Sequence, residues 1–150
     1  MNEPTEAIPF QRTVCACVAC TACCRRQPGF LIPGDAEHIE AFIGKPVADF
    51  IWASPGAIVA TGGNTFRIGT ITPRWDKKRK CCVFLTDAGQ CSIHSVAPYG
   101  CAYADTHMSR AQGEGVSAWG LRQIILSTAY KKLRDTLPLA THHQPNRYHL

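Results

Sequence analysis

Apolar positions fall in short groups separated by turn-forming residues, and their spacing changes along the chain. Pro33-Gly34-Asp35 reads as a turn feeding a helix. Asp35 is its N-cap, Ile39, Phe42 and Ile43 share one face, and Gly44 stops it. Lys45-Pro46 suits the first turn of a second short helix through Trp52, ended by Ser54-Pro55-Gly56. Residues 57–61 and 65–72 are rich in β-branched side chains and flank Gly62-Gly63-Asn64, which predicts a β-hairpin. The stretch 72–80 is polar and basic, a surface loop. Residues 81–103 hold too many turn formers for a long helix, so short strands and turns are expected, with Asp87-Ala88-Gly89 as one turn. Ser117 then caps the clearest helix, running to Leu137. Leu121, Ile124, Ile125, Ala129, Leu133 and Leu137 keep helical spacing, and Pro138 closes it. The tail from Thr141 is polar and predicted to fray.

These elements predict a small single α+β domain. Short helices, a β-hairpin and cysteine-rich turns would surround a metal site, and the long C-terminal helix would pack its apolar stripe across them. Residues 1–13 form an N-terminal extension, 14–140 the metal-binding domain and 141–150 a polar tail. A chain of 150 residues, 45% hydrophobic and 18% charged, can bury a real core without covalent help. Its first residues carry acids and prolines and no apolar stretch, so they do not read as a secretory signal. The longest charge-free run, 50–66, is broken by Ser54-Pro55-Gly56 and Gly62-Gly63-Asn64 and is not expected to span a bilayer. A cytoplasmic location follows as the expectation, with no membrane partner.

Nine cysteines change the picture. An odd number cannot pair completely in disulfides, and the spacing is clumped: Cys15, Cys17, Cys20, Cys23 and Cys24 together, Cys81 beside Cys82, then Cys91 and Cys101. Clumped thiols in a reducing compartment are better suited to holding metal than to stapling a fold. Two residues between cysteines let one tight turn aim both sulfurs at one centre. Three sulfurs at the C-x-x-C-x-x-C spacing of Cys17, Cys20 and Cys23 can hold three corners of a four-iron cluster, a remote cysteine supplying the fourth. A zinc ribbon would bring two separate C-x-x-C knuckles, and only one such run is present. Iron–sulfur therefore stands slightly ahead of zinc. Adjacent Cys23 and Cys24 diverge in most backbone conformations, so one is structural or they serve different metals. The remote trio Cys82, Cys91 and Cys101 can complete one site and contribute to a second. Two full sites would also need His94, Cys15, Cys81 or solvent. Cys15 and Cys81 stay unassigned, with burial as small apolar side chains the alternative.

CVACTACC at 17–24, Pro33-Gly34-Asp35, and CVFLTDAGQCSIHSVAPYGC at 82–101 together resemble the bacterial CxxCxxCC cysteine-cluster family, a zinc- or iron-chelating domain. Some of its members are described as iron–sulfur oxidoreductases, and a flagellin lysine methylase is related. The resemblance spans roughly residues 14–107. It implies metal binding by Cys17, Cys20, Cys23, Cys24, Cys82, Cys91 and Cys101. Where the family often carries Arg-Pro before its last cysteine, this chain has Ala97-Pro98, and His94 stands where tyrosine is frequent. Another arginine must then offset thiolate charge, and Arg25 or Arg26 is the expected one. No glycine-rich methyl-donor motif supports carrying over the methylase activity.

Other residues carry weaker signals. Asp105-Thr106-His107 can form a carboxylate–histidine pair beside a metal or simply a polar turn. Arg74-Trp75-Asp76-Lys77-Lys78-Arg79-Lys80 mixes basic residues with an aromatic, as a nucleic-acid contact does, but such runs are more often solvated loops. His142, His143 and His149 lie in the tail and are read as incidental. The formal charge of +5 counts each cysteine as neutral, and metal-bound thiolates would remove most of it. Three classes of function remain: a redox or metal-dependent enzyme holding an iron–sulfur cluster or zinc, a metal chelator or carrier, and a zinc-stabilised interaction or nucleic-acid-binding module. The partners expected are metal ions and an unidentified protein or small molecule, with nucleic acid disfavoured.

Overall fold

A computed structural model of the chain describes residues 6–13, 15, 17, 19–26, 28–140 and 146–149. Its centre is a β-hairpin longer than the sequence pattern predicts. Strand β1 (Ile51–Thr61) pairs antiparallel with β2 (Asn64–Pro73), from Ile51 opposite Pro73 to Thr61 opposite Asn64. Gly62 and Gly63, at φ 54° and 80°, supply the left-handed pair that a tight two-residue hairpin turn needs.

The expected helix through Trp52 is only a 3-10 turn, Val47–Asp49, because Ile51 and Trp52 already lie in β1. Ser54-Pro55-Gly56 does not end an element either. It makes a bulge inside β1, where the register shifts between Ser54 and Ala57. Gly56 sits at φ 100°, and a Cβ there would fall 1.8 Å from the Ile68 carbonyl oxygen. Arg134 secures the bend by donating from its guanidinium to the carbonyls of Ser54 (2.7 Å) and Thr70 (3.3 Å).

Helix α1 (Asp35–Ile43) lies where predicted and ends at the left-handed Gly44. Gly34 rather than Asp35 is its cap. Asp35 turns inward instead, and one carboxylate oxygen accepts from the backbone N–H of both Ile32 and Tyr99, each at 2.9 Å. The polar stretch after β2 is more ordered than a loop: β3 (Trp75–Asp76) pairs with β4 (Cys81–Cys82).

Beyond the one-turn helix α2 (Tyr99–Ala102), the predicted long helix is two. Helix α3 (Arg110–Ile125) is capped by Ser109, eight residues earlier than Ser117, through a capping box with Gln112. Ser127 adopts an extended conformation (φ −108°, ψ 106°) and its hydroxyl caps α4 (Thr128–Asp135) at Tyr130 N–H. The apolar spacing runs through the break, but Ile125 and Leu126 stay exposed. The end of the chain adds β5 (Asn146–His149), parallel to β1 in the segment expected to fray, and gives a three-stranded sheet ordered β2-β1-β5. Within the described residues, no helix is long and apolar enough to cross a membrane.

One continuous core joins these layers. Leu31, Ile39, Ile51, Val59, Ile71 and Leu121 are fully buried in it. Two tyrosines tie its layers together by hydrogen bonds. The buried Tyr130 hydroxyl on α4 accepts from Ile71 N–H and donates to the Leu31 carbonyl, both at 2.7 Å. Tyr99 on α2 packs among Phe30, Tyr103 and Trp119 and donates to the Val116 carbonyl at 2.6 Å. Gly120 in α3 leaves room for that ring, since a Cβ there would meet Tyr99 at 2.5 Å.

Close by, Gly29 and Gly100 cross with no side chain between them. Gly100 N–H donates to the Phe30 carbonyl at 2.9 Å, and a Cβ on Gly100 would lie 2.6 Å from the Phe30 nitrogen.

Three outcomes follow for stability, each read by urea denaturation of the metal-free protein. Tyr130→Phe leaves two backbone groups without their buried partner and should cost about 1–3 kcal/mol; an unchanged midpoint would show that the bridge contributes nothing. Gly100→Ala should cost roughly 1–3 kcal/mol through the forced backbone shift, and a neutral effect would refute the tight crossing. The Asp35 carboxyl is raised to about 6, foremost by desolvation, against its two N–H bonds and the charges of His38 and Arg12. A raised folded pKa means the associated stability is full below the unfolded value near 3.8 and is lost as pH rises through about 6. Asp35→Asn keeps an oxygen for both N–H groups but cannot ionise. Relative to it, the native chain should lose on the order of 2–3 kcal/mol between pH 4 and pH 7; parallel pH profiles would count against this.

Candidate metal centre

The 3-10 helix Cys20–Arg25 folds the cysteine motif into a compact turn, and α2 brings Cys101 against it. Pairing of β3 with β4 sets Cys82, and an isolated bridge between Leu85 and Cys91 sets the next cysteine. These elements enclose a chamber of about 60 Å³. Six cysteines line it: Cys15, Cys20, Cys24, Cys82, Cys91 and Cys101. The rest of its wall is mostly apolar, including Pro28, Pro73, Phe84, Ile93, Pro98 and Ala102.

Five of the seven cysteines expected as ligands thus face one space: Cys20, Cys24, Cys82, Cys91 and Cys101. Cys17 is not part of the wall but lies beside two cysteines that are, Cys15 and Cys20. The side chain of Cys23 lies outside the described residues. Cys81 is buried beside Cys82 but is absent from the wall, as expected of consecutive strand residues that point to opposite faces. Among the described residues no disulfide joins the cysteines. The sulfur of Cys101 accepts from Gly29 N–H at 3.1 Å, a bond that favours its thiolate.

A second grouping was only partly legible in the sequence. Cys15, Cys17, Cys20 and His107 place their ligand atoms all within 4.8 Å of one another. His107 Nε2 stands 3.3 Å from the Cys15 sulfur and 3.5 Å from that of Cys17. Thr106 Oγ1 lies 3.2 Å from the Cys20 sulfur. Asp105 fastens the group from behind. Its Oδ1 accepts from His107 N–H at 2.9 Å and its Oδ2 from the Thr13 hydroxyl at 2.8 Å, while Thr13 Oγ1 accepts from Cys15 N–H at 3.2 Å. The Thr13 hydroxyl, then the His107 N–H, holds Asp105 below the usual carboxylate range. Of the two readings of Asp105-Thr106-His107, the turn is the one seen: Asp105 accepts from the His107 backbone N–H.

The thiols themselves are electrostatically unequal. The backbone N–H of Cys20, followed by the Cys20 and Cys15 thiols, holds Cys17 below its ordinary pKa. For Cys15 the Cys17 N–H favours the thiolate, but the Cys20 and Cys17 thiols and desolvation outweigh it and push the pKa up. Close thiols that compete for protons are a donor set suited to a thiophilic cation.

The arginine at the chamber is not the one expected. Arg25 and Arg26 are exposed, whereas Arg12 lines the wall, donates to the His94 carbonyl at 3.0 Å and lies over the Tyr103 ring. His94 also lines the chamber, although its residue is largely exposed. Two arginines of the basic segment are engaged within the fold, while Lys77, Lys78 and Lys80 are exposed. Arg74 donates to the carbonyls of Ile51 and Ala48, and Arg79 engages Asp76, Asp87 and the Leu85 carbonyl.

No curated protein and no solved structure compared with the chain matches it. The CxxCxxCC family, described as "Putative zinc- or iron-chelating domain", matches residues 16–119. With a cysteine-lined chamber and a cysteine–histidine group able to hold a metal inside that span or at its edge, the chain belongs to the CxxCxxCC family of zinc- or iron-chelating domains.

Proposed function

We propose that the domain holds an iron–sulfur cluster in the chamber and serves a redox role in the cytoplasm. The observation that carries this reading is the convergence of six cysteines on one apolar-walled space. A single zinc ion takes four ligands, while a cluster spreads its ligands over several irons. Cys24, Cys82, Cys91 and Cys101 are the donors assigned to it, and Cys17, Cys20 and Cys23 complete the metal-binding set. The chemistry such a cluster supplies when bound is one-electron transfer. The chain's own residues fit that use. Gly29 N–H donates to the Cys101 sulfur and so lowers the charge on a donor, which tunes potential. Arg12 brings positive charge to a wall rich in thiolates, and the apolar lining limits water.

Zinc chelation is the second reading, favoured by the tight Cys15–Cys17–Cys20–His107 group, whose spacing suits one tetrahedral ion. Anaerobic purification with iron, sulfide and zinc analysis separates the two. Iron and acid-labile sulfide in comparable amounts, with visible absorption bleached by dithionite, are expected. Cys101→Ser should remove most of both. Colourless protein holding zinc without sulfide would replace the cluster by the second reading.

A further inference from the structure

We infer that the edge of β2 and the α3–α4 junction form a docking groove for an extended acidic–apolar segment of a partner protein, which adds to the sheet as a further strand. In the order β2-β1-β5, strand β2 is an edge. One end of that edge is covered, because Leu31 N–H donates to the Ile71 carbonyl and Ile71 N–H donates to the Tyr130 hydroxyl. Main-chain groups alternate in direction along a strand, so those of Thr65, Arg67 and Gly69 leave the sheet on the same side as those of Ile71. Among the described residues, no strand other than β1 pairs with this stretch. An open edge of this kind is a template for a strand from another chain.

The open stretch borders a groove of about 640 Å³ that shares no lining residue with the cysteine chamber. Phe66, Arg67, Ile68 and Gly69 line it from β2, and the end of α3 and the first turns of α4 line it from across. Its rim exposes large apolar surface, with Phe66 42% and Ile125 60% accessible. Its charge is one-sided: Arg67, Lys131 and Arg134 stand against Asp135 alone.

Strand alternation sorts these two characters onto opposite faces. Phe66 and Ile68 project to one face of the sheet and Arg67 to the other. A Cβ on Gly69, which shares the Arg67 face, would meet Arg134 at 2.5 Å, so the second cation lies on that face too. A strand laid along the edge therefore meets apolar neighbours on one face and cations on the other. Its own sequence must alternate apolar with acidic residues. A second copy of this chain fits poorly, because a two-fold axis pairing β2 with β2 opposes cation to cation. A small anionic amphiphile would use the charge and the apolar rim but leave the main-chain edge unused.

The full chain, purified anaerobically with whatever metal it holds, is used to select from a display library of random peptides of about ten residues, enough to span the roughly 16 Å of open edge. Enriched peptides should alternate Asp or Glu with Val, Ile, Leu or Phe, and their affinity should fall as salt rises. Lys131→Glu on the surface of α4 should weaken their binding by about 10-fold or more. Arg67→Pro should do the same by removing an edge N–H at a position where a strand tolerates proline, whereas Arg67→Lys should bind like the native chain. Metal content and urea midpoint should be unchanged in Lys131→Glu and Arg67→Lys, which separates loss of docking from loss of fold. Bound peptide should slow amide exchange at Arg67 and Gly69. Selection that enriches no peptide over a Lys131→Glu control would overturn the inference. So would binding that leaves those two amides exchanging freely, since that describes charge attraction or an amphiphile pocket without strand addition. A dimer in sedimentation that Arg67→Pro dissolves would give the edge to a second copy instead.

Discussion

The cysteine chamber depends on two distant backbone segments passing at a distance that tolerates no side chain. A Cβ on Gly29 would fall 2.2 Å from the Gly100 carbonyl carbon, and one on Gly100 would fall 2.6 Å from the Phe30 nitrogen. Closeness at this crossing lets Gly100 N–H reach the Phe30 carbonyl and Gly29 N–H reach the Cys101 sulfur. The first segment continues directly from the CxxCxxCC turn and the second carries the last motif cysteine. The crossing therefore sets the distance between the two halves of the donor set, which 57 residues separate between Cys24 and Cys82. Asp35 reinforces it by taking N–H groups from both sides, at Ile32 and Tyr99.

That arrangement assigns different tasks to metal and core. The Tyr130 bridge from α4 to Leu31 and Ile71, and the tilted contact of Tyr99 with Trp119, come from apolar packing and buried hydrogen bonds. They fix Phe30, Leu31 and α2 without any ion. Under the proposed ligand set, metal binding would close the long loop between the motif halves, where the entropy removed from the unfolded chain is largest. A core already in place lowers the ordering cost that binding would otherwise bear, so the donors on the inner wall are preorganised. The N-terminal donor Cys15 is held differently, through Thr13, whose N–H donates to the Ala102 carbonyl at 2.7 Å.

What could be read from the sequence was whatever depends on local chemistry. The Gly62-Gly63 turn and the Gly44 stop state backbone conformations directly. The clumped cysteines declare metal binding, and the α+β class follows from the spacing of the elements. What failed were features decided by tertiary contacts. Ser54-Pro55-Gly56 looks like a terminator, yet Arg134, 78 residues from Gly56, stabilises it as a bulge within a strand. The apolar spacing that begins at Leu121 points to Ser117 as the cap, whereas Ser109 and Gln112 form the capping box that starts the helix. The apolar period continues across Ser127 and so hides the break it caps. Arg12 could not be found from spacing, since only the fold brings it to the chamber wall.

The histidine explains why counting cysteines alone gave an ambiguous total. Seven motif cysteines cannot fill two four-sulfur sites, and that shortfall pointed to His94, Cys15, Cys81 or solvent. Geometry separates these candidates. Cys81 is absent from the chamber wall, whereas His94 lines it with its carbonyl bound by Arg12. Cys15 and His107 meet two motif cysteines at ligand distance. The chamber gathers sulfur on a mostly apolar wall that also carries Arg12, Thr13 and His94. The outer group mixes three thiols with an exposed imidazole, and a neutral nitrogen donor lowers the net negative charge a bound divalent ion must balance. One fold thus offers two donor environments that differ in hardness and exposure. The cysteine spacing, which left one centre or two open, is compatible with a division between them at Cys20, which touches both.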